Sequence, residues 1–116
     1  MQEKTYEMTL LYDFYSDLLT EKQRYYFERF YNDDLTLSEI AENEGISRQG
    51  VRDILMRAEI TLRQLEDKTG VVKRFCEMRN CVNEINSLVK ELIANTEGHN
   101  KALAEGVYKR LQFLKE

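Results

Sequence analysis

Between positions 47 and 53 the chain reads Ser-Arg-Gln-Gly-Val-Arg-Asp, and its polar members suit one kind of chemistry. The guanidinium groups of Arg48 and Arg52 can bond guanine bidentately, and the amide of Gln49 can bond adenine. The Ser47 hydroxyl and the backbone amides of a helix start can hold a phosphate. This is recognition chemistry. It assigns Ser47, Arg48, Gln49, Arg52 and Asp53 to a DNA major groove. A competing reading makes Arg48 and Arg52 solvated charges paired with acids such as Asp53. Arg57 and Arg63 lie further along and reach only backbone.

No comparable set supports catalysis. His99 is the only histidine and sits beside Gly98 and Asn100, with no Cys or Ser partner in view. Cys76 and Cys81 are the only cysteines. On one helix their spacing points them apart, so neither a disulfide nor a zinc site is expected, and both read as reduced, half-buried packing residues. No glycine-rich phosphate loop is present. The expectation is a non-enzyme without cofactor or metal.

The recognition set needs a helix held at a steep angle to another. Residues 36–65 supply it as a helix-turn-helix. Thr36-Leu37-Ser38-Glu39 forms a capping box and opens a short helix ending near Asn43. Ala41 is small, as close passage of the second helix requires. Gly45 suits the turn, because positive φ is cheap only without a Cβ. Ser47 caps the second helix, which runs from Arg48 to about Glu66. Ile40, Ile46, Val51 and Ile54 supply apolar contacts between the two. Val51, Leu55, Ala58, Leu62 and Leu65 turn to the core, with Ile54 alongside.

The rest of the chain is also helical. It has no proline, and nothing alternates like a strand. Met8, Leu11, Tyr15, Leu18 and Leu19 recur at helical spacing and predict an amphipathic helix over residues 4–18. Thr20-Glu21-Lys22-Gln23 is a second capping box, opening a helix to about Tyr31. After a break at Lys68-Thr69-Gly70, long helices are expected from Val71 to about Ala94 and from about Asn100 to Lys115. The class is all-α. Residues 1–67 form a helix-turn-helix domain, and residues 71–116 a helical extension.

The net charge is −4, but its distribution matters more. Residues 1–46 hold four basic and eleven acidic groups, whereas residues 47–74 hold seven basic and four acidic. The positive block begins where the second motif helix begins. Nine of the twelve aromatics precede Asn32 within the acidic segment, which favours packing over base stacking. The N-terminus carries acids where a secretory leader would be basic. No apolar run approaches the roughly 18–20 residues that span a bilayer. A cytoplasmic protein without membrane insertion is expected.

In the tail, Phe75, Met78, Val82, Ile85, Val89 and Leu92 follow a 3-4-3-4 spacing, a heptad-like seam. Leu103, Val107, Leu111 and Leu114 make a matching stripe. These helices either pack on each other and on residues 8–19, or form a homodimer through residues 71–114. A dimer would pair two reading heads on a two-fold site.

The stretch L-T-E-K-Q-R-Y-Y-F-E-R-F-Y, followed by L-T-L-S-E-I-A-E-N-E-G-I-S-R-Q-G-V-R-D-I-L-M-R-A-E-I-T-L-R-Q-L, resembles region 4 of bacterial sigma-70-type factors. That module recognises the −35 promoter element through its second motif helix. Gly50 departs from the pattern, standing where region 4 often has a phosphate-contacting residue. No region 2 equivalent is present. The whole chain, including Y-D-F-Y-S-D-L-L-T and the tail after Gly70, resembles the YlxM family of small helix-turn-helix proteins from Gram-positive bacteria. Genes of that family neighbour those of the signal recognition particle GTPase. The resemblance therefore implies a regulatory DNA-binding role linked to protein targeting. The alternative it implies is an accessory module touching the particle's protein or RNA without a sequence-specific DNA site.

Overall fold

Thr20, Thr36 and Ser47 each start a helix by the same device. Each has extended backbone, and its hydroxyl accepts the amide N–H of the residue three positions on. Two of these starts are reciprocal. The Gln23 side chain accepts the Thr20 N–H at 3.0 Å, and the Glu39 carboxylate accepts the Thr36 N–H at 2.9 Å. Thr36→Ala removes one arm of the second box. It is expected to cost about 1 kcal/mol in chemical denaturation, with Thr36→Ser close to the parent.

The computed structural model describes residues 6–115. All its regular structure is helical. Helix α1 spans Tyr6–Tyr15 and ends in a single 3-10 turn, Ser16–Leu18. It is followed by α2 (Glu21–Tyr31), α3 (Leu37–Glu44), α4 (Arg48–Thr69), α5 (Val71–Asn95) and α6 (Gly98–Leu114). The chain divides into two compact units, Met1–Val72 and Lys73–Glu116.

In the first unit, α4 packs against α1, α2 and α3. Val51, Leu55, Ala58 and Leu62 recur every three or four residues along α4 and are fully buried. They meet Met8 and Leu11 of α1, Phe27 and Phe30 of α2, and Ile40 and Ala41 of α3 in one core. Phe27 is stacked between Tyr12 and Tyr31, with ring centroids 4.3 Å away on each side. The phenols at the edge of this core end on carboxylates. Tyr12 donates to Glu28, Tyr31 to Glu59 at 2.8 Å, and Tyr15 to Glu66 at 2.6 Å, with Thr69 also beside Tyr15.

The sequence pattern differs from the structure in several places. Residues 4 and 5 of the expected first helix lie outside the described residues. The helix gives way to a 3-10 turn at Ser16, which breaks the 3.6-residue phase, so Leu18 faces solvent while Leu19 is buried. Helix α4 runs to Thr69 and not to Glu66. Gly70, in the left-handed region at φ +63°, ends it and hands the chain directly to α5. Helix α6 starts at Gly98, two residues before the expected start. Leu65 and Ile54 are half-buried.

Glu59 was not legible from periodicity. It lies on the inner side of α4, 4% exposed, and accepts the Tyr31 hydroxyl. Burial raises its pKa above the ordinary 4.5, and the Tyr31 bond and the nearby Arg63 charge offset this only in part. The folded chain therefore holds this proton more tightly than the unfolded chain. The group's contribution to stability is full below pH 4.5 and is lost as pH rises through the raised folded value. Glu59→Gln is expected to flatten that decline. Thermal melts across the acid-to-neutral range check it, and parallel curves for parent and variant would contradict it.

The second unit pairs α5 from Lys73 onward with α6. Its inner line holds Val89, Leu111 and Asn86. The Gln112 amide donates to the Asn86 side-chain oxygen at 2.7 Å, and Lys90 lies over the Tyr108 ring at 5.9 Å.

Candidate nucleic-acid interface

The turn between α3 and α4 is made by three residues with separate tasks. Gly45 adopts φ +68°. This lets the amides of Gly45 and Ile46 both turn back to the Ala41 carbonyl, closing α3. Ser47 then opens α4. Its hydroxyl accepts the Gly50 N–H at 3.0 Å, and its carbonyl accepts the Val51 N–H at 3.1 Å. The amides of Arg48 and Gln49 have no acceptor within the helix and point outward along its axis. No acid lies in the first turn of α4, so nothing opposes the positive end of the helix dipole.

Ile40, Ala41 and Val51 sit in the core where the motif helices cross. Ile46 does not. It is 39% exposed, because it follows the left-handed Gly45 outside both helices. Gly50 explains where Ile46 rests. A Cβ at position 50 would lie 3.6 Å from its Cδ1 and 3.2 Å from the Ser47 hydroxyl. The missing side chain leaves room for both neighbours, whatever it costs in helix propensity.

Ser47, Arg48, Gln49 and Asp53 are exposed, and Arg52 is half-exposed. Arg48 and Arg52 are one turn apart on the same line of α4. Asp53 bonds neither of them. It accepts the Gln49 amide at 2.8 Å, so one donor of Gln49 is already engaged. The other arginines of this unit divide sharply. Arg24 donates to the carbonyls of Ser16 and Leu19, Arg29 pairs with Asp33 at 2.6 Å, and Arg63 pairs with Glu7 at 3.3 Å. Arg48, Arg52 and Arg57 form no ion pair among the described residues. The acids of the preceding helix, Glu42 and Glu44, are also exposed, and Glu44 accepts the Tyr25 hydroxyl at 2.7 Å.

Cys76 and Cys81 are free thiols, the first half-buried and the second exposed. Among the described residues no group of His, Cys, Asp and Glu is arranged to hold a metal ion. No helix there is long and apolar enough to cross a membrane.

A short capped helix, a left-handed glycine turn and a longer capped helix packed across the first define a helix-turn-helix protein. Residues 2–102 match the family described as "UPF0122: Putative helix-turn-helix protein, YlxM / p13 like", and the chain belongs to that family. It is 51% identical over 90 residues to a UPF0122 protein of Thermoanaerobacter sp. (strain X514), covering 78% of this chain and 76% of the relative. It is 45% identical over 91 residues to a UPF0122 protein of Bacillus thuringiensis (strain Al Hakam), covering 78% and 83%.

Proposed function

We propose that the protein binds duplex DNA as a transcriptional regulator, with the first turns of α4 in the major groove. The observation that carries this reading is the division of the arginines. Arg24, Arg29 and Arg63 are held by carbonyls or acids, whereas Arg48, Arg52 and Arg57 are not, and of these Arg48 and Arg52 stand at the end of the helix that such motifs insert. Arg48 and Arg52 bond base edges or flanking phosphates. Ser47 and the free amides beside it take a phosphate, and Gln49, steadied by Asp53, presents its remaining donor and its oxygen. The resemblance of residues 19–65 to sigma region 4 supports the same placement. Fluorescence anisotropy of the protein on genomic fragments at low salt tests the proposal. Saturable binding that weakens with salt is expected, and absence of binding sinks the idea.

A second reading is favoured by the charge around the motif. Eleven acids in the first 46 residues repel a long duplex beyond the reading helix. In that reading the same surface serves the signal recognition particle, touching its RNA or its protein, as the family resemblance implies. Sequencing the nucleic acid that co-purifies with the tagged chain separates the two. Enriched genomic sites support the first, and particle RNA supports the second.

A further inference from the structure

The hairpin of α5 and α6 carries an apolar face that its own helices leave open. On α5, Met78, Ile85, Leu88 and Leu92 are 39–62% exposed. At 3.6 residues per turn they fall within an arc of about 80°, and the exposed Cys81 falls in the same arc. The run 78, 81, 85, 88, 92 alternates steps of three and four, the a/d spacing of a helical seam. The structure thus splits the stripe drawn from sequence. Phe75, Val82 and Val89 turn toward α6, while Met78, Ile85 and Leu92 turn out with Cys81 and Leu88. On α6, Leu103, Val107 and Leu114 are 47–63% exposed and share an arc of about 40°. The two stripes lie side by side. Leu92 lines a hollow of about 350 Å³ with Leu103 and Val107, and Met78 lines one of about 150 Å³ with Leu114. Among the described residues of this unit only Asn86, Val89 and Leu111 are buried. That core is too small to offset the entropy of ordering two long helices.

We propose that a second copy of this chain covers the face with its own, completing a four-helix bundle in which α5 lies over α6 of the other copy. Size favours this occupant. Seven half-open apolar side chains present on the order of 700 Å² per copy, beyond the usual patch on a monomer and near the ~800 Å² a side of a stable interface. Shape favours it as well, because an isologous contact needs one surface that complements itself, and both helices supply a continuous stripe. Charge fixes the arrangement. The outer flank of the α5 stripe carries exposed Glu77, Glu84 and Glu91, one per heptad, with Lys73 at its start, and the outer flank of the α6 stripe carries exposed Arg110, with exposed Lys109 further round the helix. A two-fold axis along the helices sets these acids against these bases. An axis across the helices sets like against like.

Sedimentation equilibrium of the full chain tests the proposal. The expected mass is twice 13.8 kDa, falling to 13.8 kDa in Leu88→Glu and in Leu103→Glu. Diluting the unaltered chain should lower mass and helix content together, which needs no variant to fold. In a Cys76→Ser background, Cys81 should react with a thiol reagent more slowly in concentrated than in dilute protein. Glu84→Lys with Glu91→Lys should weaken the dimer, and adding Lys109→Glu with Arg110→Glu should restore it. A single-chain mass at every concentration overturns the proposal, as does a dimer that survives both glutamate substitutions. Failure of the charge reversal to restore association overturns the helix pairing.

Discussion

Arg48→Ala combined with Arg52→Ala is expected to weaken DNA binding by roughly a hundredfold or more while leaving the fold intact. Each well-placed arginine contact to a base is worth about 1–3 kcal/mol, and every 1.4 kcal/mol is about tenfold in Kd. The structure gives reason to expect both halves of this outcome. Neither side chain forms an ion pair among the described residues, and Arg48 is exposed, so their removal leaves no internal partner unsatisfied. Surface changes of that kind usually shift stability by no more than about 0.5 kcal/mol. Anisotropy titrations at several salt concentrations, with melts in parallel, measure the two effects. They also separate the roles. Loss of a phosphate contact lowers the slope of log K against log salt by about 0.9, whereas loss of a base contact relaxes sequence preference and leaves the slope alone. Unchanged affinity in the double variant removes these residues from the interface.

Phe27→Ala is expected to have the largest effect on stability. The ring is fully buried and held on both faces by Tyr12 and Tyr31, so truncation leaves a cavity that two rings and their carboxylate tethers hold open. Such changes cost about 3–5 kcal/mol. That is a large part of the total of about 5–15 kcal/mol that holds a small protein folded. A fall in melting temperature of roughly 15 °C or more should follow, read by far-ultraviolet circular dichroism. Phe113→Ala in the single chain should change little by comparison, because that ring is 80% exposed. A Phe27→Ala protein that melts within a few degrees of the parent would falsify the assignment of this ring as the centre of the core.

Periodicity and capping chemistry made most of the fold legible. Thr20, Thr36 and Ser47 marked their helix starts because a hydroxyl three residues before a free amide is a local signal, independent of the rest of the chain. Val51, Leu55, Ala58 and Leu62 identified the inner line of α4 for a similar reason: burial repeats every turn. Contacts between distant residues were not legible. Glu59 looks like any surface acid until Tyr31 is seen to reach it across 28 positions. Ile46 belongs to the apolar pattern, but its direction depends on the left-handed residue before it and the empty Cα at position 50. In the tail a 3-4-3-4 pattern does not say which partner each residue meets, so one stripe stood for two. The charge imbalance flagged the start of α4. The pairing that leaves Arg48 and Arg52 free while Arg24, Arg29 and Arg63 are engaged emerged only from the fold.

The phenol–carboxylate contacts also give the molecule an optical signature. It has no tryptophan, so its near-ultraviolet absorption is dominated by tyrosine. Burial, reinforced by the carboxylate each one meets, holds Tyr12, Tyr15 and Tyr31 protonated above the ordinary phenol value of 10.0. The native state keeps these protons where an unfolded chain releases them, so alkali undermines the fold as pH rises past that value. The absorbance of ionised tyrosine should therefore include an abrupt stage, in which the clasped rings ionise together as the helices melt. A spectrophotometer alone thus reports the integrity of the core, with no label attached.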